Sequence, residues 1–169
     1  MVLSGLIQIE PKVHRDLRGF FLESYSDARC RGLGICDSFV QDNHSFSKEG
    51  VLRGMHFQPG QAKLIYCPRG KIFDVVVDIR KGSKTYGKWE GFYLDGVDHR
   101  QLFIPDGFAH GFCVLSEEAH VIYKVSSYFD KGLENGFSWD DGEVGIAWPI
   151  KHPILSDRDL QAKQMREVL

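Results

Sequence analysis

The sequence predicts an all-β fold: a sandwich, jelly roll or barrel. Three observations lead there. Short runs of aromatic and branched residues recur at roughly ten-residue spacing. Glycine-containing turns separate several of them. The intervals are too short for the crossover helices of about a dozen residues that a parallel α/β sheet needs. In chain order, Phe20-Phe21-Leu22-Glu23-Ser24-Tyr25 is the first firm strand. Residues 38–46 make the next, entering on Phe39-Val40 and turning polar at Gln41-Asp42-Asn43-His44-Ser45. Residues 51–57, 62–67, 71–79, 88–94, 100–104, 110–115 and 119–128 complete the set. Pro68-Arg69-Gly70-Lys71, Arg80-Lys81-Gly82-Ser83, Asp95-Gly96 and Pro105-Asp106-Gly107 read as turns, with glycine at the permissive position. Helical signal is thin. Residues 26–31 make one or two turns capped by Ser26 or Asp27. Residues 157–167 make the best helix, with Leu160, Met165 and Leu169 as its few apolar anchors. No repeat, linker or low-complexity stretch interrupts the chain, so a single domain over residues 1–169 is expected.

Composition narrows the function classes. The chain of 169 residues is long enough to bury a core without disulfides or a structural metal. Hydrophobic residues make up 43% and charged residues 26%, which excludes collagen-like, coiled-coil and wholly disordered chains. Lys plus Arg is 21 and Asp plus Glu is 23, a balance that argues against a nucleic-acid partner. No run reaches the apolar length of a membrane helix, so no membrane partner is expected. The apolar start at Met1-Val2-Leu3-Ser4-Gly5-Leu6 lacks the basic head and length of a signal peptide. Cys30, Cys36, Cys67 and Cys113 form no Cys-x-x-Cys motif. They read as free thiols, buried as small hydrophobes, in a reducing compartment; the expected location is cytoplasmic.

Several motifs fail on inspection. Gly82-Ser83-Lys84-Thr85-Tyr86-Gly87-Lys88 has P-loop spacing, but Trp89 follows where a Ser or Thr should reach magnesium. Asn43-His44-Ser45 fits the glycosylation triplet in a chain with no secretion signal. Four histidines, His44, His56, His110 and His120, fall at polar strand ends. Many double-stranded β-helix proteins, the cupins, bind a metal through His-x-His with a distant Glu, plus one histidine on a second segment. Gly107-Phe108-Ala109-His110 resembles that second segment. The first reads Gly54-Met55-His56-Phe57-Gln58, with Gln58 in place of the second histidine and no Glu at the usual short spacing. A transition-metal site wants three or four such ligands, so no metal is expected. The departure points to a barrel pocket that uses its histidine as a base.

A polar constellation remains. Arg18, Arg53 and Lys63 are cations among apolar neighbours. In a half-buried strand the Arg53 side chain must face solvent or a polar cavity. Strict alternation puts His56 on the opposite face from Arg53, but the intervening Gly54 permits a bulge, so periodicity leaves their faces open. Phe39, Gln41 and Asn43 share one face; Val121, Tyr123 and Val125 share another.

Ordered segments along nearly the whole chain carry a family resemblance. They are Arg15-Asp16-Leu17-Arg18-Gly19-Phe20-Phe21-Leu22-Glu23, Phe39-Val40-Gln41-Asp42-Asn43-His44-Ser45 and Gly50-Val51-Leu52-Arg53-Gly54-Met55-His56-Phe57-Gln58. Gln61-Ala62-Lys63-Leu64, Asp74-Val75-Val76-Val77-Asp78, Ile104-Pro105-Asp106-Gly107-Phe108-Ala109-His110-Gly111-Phe112 and Tyr123-Lys124 follow. Trp139-Asp140-Asp141, Ile146-Ala147-Trp148-Pro149 and Leu155-Ser156-Asp157-Arg158-Asp159 close the set. Together they resemble the dTDP-4-dehydrorhamnose 3,5-epimerase family. The resemblance implies a cupin-like jelly roll, a double-stranded β-helix with short flanking helices. It implies a dTDP-linked 4-keto-6-deoxyhexose as substrate, no cofactor, and a homodimer in which a strand of the partner completes each site.

The same resemblance distributes roles. His56 corresponds to the general base, Asp159 to its carboxylate partner, and Tyr123 to the proton donor on the other side of the ring. Lys63 corresponds to the lysine near the developing enolate oxygen. Arg18 and Arg53 correspond to diphosphate ligands. Glu23, Gln41, Asn43, His110 and Glu134 fall at positions that contact nucleotide or sugar. Phe20 is a candidate for stacking on the base. Arg158 stands where family members commonly carry lysine; this keeps the charge and changes its geometry.

The chemistry explains the residue types. A ketone at C4 acidifies the hydrogens at C3 and C5, and removing either leaves an enolate. Histidine is the side chain whose ordinary pKa suits proton abstraction near neutrality. A carboxylate behind it fixes the attacking nitrogen and favours the protonated ring. A lysine stabilises the oxyanion as charge develops. Inversion requires a proton from the opposite face, which a neutral tyrosine hydroxyl can deliver. Guanidinium forks match diphosphate oxygens in pairs. A single-centre epimerase keeps the same His and Tyr and stays open at this stage. A 3,4-ketoisomerase of the same fold is disfavoured by the full Leu-Arg-Gly-x-His and Tyr-Lys pattern. A metal-dependent cupin is disfavoured by Gln58. A non-catalytic binding jelly roll has no need for His56, Asp159 and Tyr123 together.

Overall fold

The computed structural model describes residues 2–169; Met1, the first residue of the apolar start, lies outside them. Twelve strands and three short helices run in the order β1 (Ile7–Ile9), β2 (Val13–Asp16), β3 (Gly19–Leu22), α1 (Asp27–Gly32), β4 (Gln41–Lys48), β5 (Leu52–Phe57), β6 (Lys63–Arg69), β7 (Lys71–Asp78), β8 (Trp89–Asp95), β9 (Gln101–Ile104), β10 (Phe108–Val114), β11 (Glu118–Val125), β12 (Asn135–Gly136), α2 (Asp157–Leu160) and α3 (Met165–Val168). Two five-stranded sheets form, β1-β9-β6-β11-β4 and β12-β5-β10-β7-β8, every pairing antiparallel. This is the predicted all-β, cupin-like jelly roll. The pair β2–β3 stands apart as a two-stranded hairpin.

The core explains the pattern of the central strands. Between the sheets, Ile65, Cys67 and Val121 from one meet Ile72, Val76 and Phe112 from the other. Phe73, Val75 and Val77 of β7 face the other way, onto Met55, Ala109, Phe137 and Met165. β7 is therefore buried on both faces, which is why Ile72-Phe73-Asp74-Val75-Val76-Val77 does not alternate. On the first sheet's outer face, Leu64 and Phe103 pack under Cys30 and Ile35. The C-terminal segment packs on the second sheet, and residues 154–156, 158 and 159 line the cavity between the sheets.

Several element boundaries differ from expectation. The strand expected at 20–25 ends at Leu22, pairing with β2, whose polar Val13-His14-Arg15-Asp16 carries no periodic signal. The strand expected at 38–46 starts at Gln41, because Phe39 turns aside to meet the edge of Tyr25, ring centroids 5.9 Å apart. The strand expected at 119–128 ends at Val125, where the Ser126 hydroxyl takes the Ala62 N–H at 2.8 Å. Ser26 caps α1 by accepting from the Arg29 N–H, which settles the choice of cap. The helix expected over 157–167 is broken into α2 and α3. Tertiary bonds outcompete its ladder: Met165 N–H donates to Asp141 Oδ2 at 2.7 Å, and Lys163 O accepts from the Ser138 N–H at 2.8 Å. Leu160 is exposed rather than an anchor. Cys30, Cys67 and Cys113 are buried free thiols, whereas Cys36 is exposed.

One irregularity shapes the site. Across β5 and β10, His110 pairs with His56 but Phe112 pairs with Arg53, so β5 holds one extra residue over that stretch. The bulge breaks strict alternation, and Arg53 and His56 both line the interior cavity while Met55 packs in the outer core. Glycine is required here. Gly54 has φ +134°, and a Cβ on it would sit 2.5 Å from the Gly111 Cα; a Cβ on Gly111 would sit 2.7 Å from Met55 Sδ. The open question of faces is thus answered by the bulge.

Candidate active site

A cavity of about 460 Å³ opens between the sheets. From one sheet come Asn43 and Ser45 of β4, Lys63 of β6 and Tyr123 of β11; from the other come Arg53 and His56 of β5 and His110 of β10. Glu134 and the 154–159 segment close the side. His56 and Tyr123 therefore face the same space from opposite walls.

Each of the two histidines that line the cavity is held by an aspartate. His56 Nε2–H donates to Asp159 Oδ1 at 2.6 Å. Nδ1, the other ring nitrogen, has no protein partner among the described residues and is the one left to take a proton. Asp159 is placed by α2, whose N-cap Ser156 receives the Asp159 N–H at 3.2 Å. Burial raises the Asp159 carboxyl, but hydrogen bonds from His56, Ser156 and Gly54, together with the His56 charge, hold it below the ordinary carboxylate range. It therefore stays anionic behind the imidazole. His110, the cross-strand neighbour of His56, bonds through Nε2 to Asp74 Oδ2 at 2.8 Å. Complete burial pushes Asp74 upward, against the opposing pull of His110, and its Oδ1 has no hydrogen-bond partner among the described residues.

Lys63 is buried, and its ammonium makes no hydrogen bond or ion pair among the described residues. Desolvation lowers it to about 8, with Glu134 and Asp106 pulling the other way. A buried cation of this kind is suited to an oxygen that becomes negative only during reaction. The Tyr123 hydroxyl is pushed above its ordinary value by burial, then by the Glu134 charge, with Arg53 opposing. It is neutral and proton-bearing near pH 7. At the cavity rim Arg53 Nε donates to Ser47 Oγ at 3.0 Å and Nη2 to Phe46 O at 3.3 Å, which aims the guanidinium. Arg158 and Glu134, both lining residues, form an ion pair. Gln41 is not a lining residue; its Nε2 donates to Asn43 Oδ1 at 2.8 Å and orients the amide that is.

Besides Gln41, three expected site residues are not brought to this cavity within the chain. Arg18 and Phe20 lie on the β2–β3 hairpin, at a shallow groove with His14, Arg15, Asp16 and Phe21. Arg18 pairs with Asp16 at 2.5 Å, and Phe20 packs against His99 with centroids 4.6 Å apart. Glu23 just beyond them pairs with Arg29 at 2.7 Å. Among the residues that line or support the cavity, sequence reasoning gave no role to Asp74, Ser45, Ser156 or Phe129. Asp74 alone carried a signal, a carboxylate inside an otherwise apolar strand. Among the described residues no three His, Cys, Asp or Glu side chains converge as a metal-ligand group.

The jelly roll thus sets an aspartate-held histidine against a tyrosine across one cavity, an arrangement that suits acid–base chemistry on an enclosed ligand. The family of dTDP-4-dehydrorhamnose 3,5-epimerases matches residues 1–167. A dTDP-4-dehydrorhamnose 3,5-epimerase of Shigella flexneri is 50% identical over 166 residues, 96% of this chain and 92% of that protein. A dTDP-4-dehydrorhamnose 3-epimerase of Streptomyces niveus is 43% identical, covering 98% and 82%. The crystal structure of the 3,5-epimerase of Legionella pneumophila in complex with dTDP-4-keto-L-rhamnose superposes with a TM-score of 0.95 at 45% identity, over 98% of this chain and 90% of that one. The chain belongs to the dTDP-4-dehydrorhamnose 3,5-epimerase family. It is an isomerase acting on a carbohydrate, an epimerase of a dTDP-linked 4-keto-6-deoxy sugar.

Proposed function

We propose that the enzyme inverts both C3 and C5 of dTDP-4-keto-6-deoxy-D-glucose, giving dTDP-4-keto-L-rhamnose, with the residue roles that follow. The observation that carries this reading is the placement of His56 and Tyr123 on opposite walls of one cavity. His56 Nδ1 takes the proton from a carbon beside the ketone, and the C–H electron pair becomes the enolate. The ketone oxygen turns negative and is met by the Lys63 ammonium. Asp159 stabilises the imidazolium, and the Tyr123 hydroxyl returns a proton from the other face. Solvent restores both groups, and the cycle repeats at the second carbon. Arg53 engages the diphosphate; Asn43, oriented by Gln41, with His110, Glu134 and Arg158, holds sugar and nucleotide. The Streptomyces niveus relative bears the single-centre name, so inversion at C3 alone is the second reading. Reduction of the product by a stereospecific 4-ketoreductase tests the two: an L-rhamnosyl product requires both inversions, and a product of C3 inversion alone supports the second.

Lys63 gives this reading a pH signature. Its lowered value means that the charged form is present below about pH 8 and lost above it. Oxyanion stabilisation is lost with the charge, so kcat/KM falls on the alkaline side with a midpoint near 8. Lys63→Arg keeps its charge throughout and lacks that limb. A wild-type profile flat to pH 10 contradicts the role.

The active form is a homodimer in which the β2–β3 hairpin of one subunit completes the cavity of the other. Supporting this, the hairpin holds Leu17 at 107% and Phe21 at 72% exposure beside Arg18 and Phe20, remote from the cavity of its own chain. Arg18, Phe20 and Glu23 then act on the partner's nucleotide. Arg18→Ala and His56→Ala are each expected to be inactive alone. Reassorted together, they place one intact site in each mixed dimer and restore about a quarter of wild-type activity. No recovery on mixing rejects the shared site. The single domain over residues 1–169 is supported by the extent of the family match. The four free thiols favour a cytoplasmic location.

A further inference from the structure

Gln58 stands where metal-binding jelly rolls carry a second histidine, and the proton chemistry at His56 has no use for it. It lies just past the end of β5, two residues beyond His56, and is only 5% exposed. Its carboxamide is fully engaged. Nε2 donates to Tyr128 O at 2.9 Å and to Ser127 Oγ at 3.1 Å, and Oε1 accepts from the Asp130 N–H at 2.9 Å. Two donors and one acceptor on one planar group match a carboxamide; a neutral imidazole offers one of each, and a carboxylate offers no donor. Two further glutamines act on the same loop. Gln61 Nε2 donates to Ser127 O at 3.0 Å, and Gln41 Oε1 accepts from the Phe129 N–H at 3.2 Å. Ser127 O, Tyr128 O and the N–H groups of Phe129 and Asp130 are thus held by side chains, just beyond the end of β11.

This loop forms a wall of the active site. Gln58 and Phe129 both line the catalytic cavity, and both also line an adjoining cleft of about 560 Å³ bounded by Pro59, Gly60, Lys131 and Leu133. The two residues form the partition between these spaces. We propose that Gln58 is a positioning residue for the epimerisation: it clamps the 127–130 loop so that Phe129 walls the substrate cavity off from the neighbouring cleft. The proposal rests on the epimerase reading for its kinetic consequence and on the hydrogen bonds alone for its structural one.

Gln58→Glu keeps shape and the acceptor for Asp130 but removes both donors and sets a carboxylate against Tyr128 O. In the full-length protein it is expected to raise KM for the nucleotide sugar about tenfold with kcat within about twofold, since the proton-transfer groups are untouched. Backbone amide exchange at residues 127–130 rises in the same variant. If Gln58 acts through Phe129, the double variant with Phe129→Ala has the KM of Phe129→Ala alone. Ser127→Ala removes only the hydroxyl partner; it gives a smaller rise in KM and keeps the test available should Gln58→Glu not fold. A fall in kcat at unchanged KM, full additivity with Phe129→Ala, or unchanged amide exchange in the loop overturns the clamp. A wild-type protein that does not epimerise defeats the epimerase reading instead, and loop exchange in Gln58→Glu still decides the clamp.

Discussion

His56→Ala abolishes solvent deuterium uptake at both C3 and C5 of the 4-keto sugar. The cavity holds two histidines, and only one has the required setting. His56 is paired with a carboxylate that remains anionic, because three hydrogen bonds and the imidazole charge outweigh the effect of burial. The Asp74 behind His110 is driven the other way by complete burial, so that histidine lacks an equally firm anionic partner. Removing a positioned general base costs about 10²–10⁴ in rate. Of the other polar groups on that wall, Arg53 is a cation and His110 is already bonded to Asp74. Arg53 and Asn43 keep their own partners, Ser47, Phe46 and Gln41, so dTDP binding stays within about threefold of wild type under the same positional argument. The check is proton NMR of the substrate in deuterated water beside a dTDP binding titration. Exchange at the wild-type rate in this variant removes His56 from the base role.

Tyr123→Phe separates proton removal from inversion. The hydroxyl faces the cavity from the sheet opposite His56 and is buried enough to keep its proton near pH 7. Phenylalanine preserves packing against the inter-sheet core, which Tyr123 joins as a partly buried member. His56 still forms the enolate; its imidazolium exchanges the abstracted proton for a solvent deuteron and returns that deuteron to the same face. Deuterium uptake therefore persists within about tenfold, while formation of the inverted product falls by about 10² or more. Uptake and inversion measured on one sample give the ratio directly. Equal loss of both assigns Tyr123 to holding the sugar rather than to protonating it.

The strand plan was readable because the jelly roll buries alternate or continuous apolar runs that only β structure can place. What periodicity left open were positions decided by contacts distant in sequence. The faces of Arg53 and His56 depend on a bulge that Gly54 and Gly111 allow together, and these glycines lie on different strands. The C-terminal helix breaks because Asp141 captures the Met165 N–H from 24 residues away. β2 is polar, pairs only with β3, and gives no alternation to detect. At the site, His56, Asp159, Lys63 and Tyr123 came from the family resemblance, and the fold gathers them in one cavity. Asp74 behind His110 and the loop bonds of Gln58 required the structure, since each joins segments 36 or more residues apart. Arg18, Phe20 and Glu23 lie outside the cavity of their own chain, a separation that no periodic signal in the sequence marks.

The most direct measurement is proton NMR of the wild-type enzyme with dTDP-4-keto-6-deoxy-D-glucose in deuterated water, with the product trapped by a stereospecific reductase. One base on one wall and one donor on the other predict deuterium at C3 and C5 and inverted configuration at both. Tight binding without deuterium at either carbon contradicts acid–base epimerisation of this substrate in the His56–Tyr123 cavity.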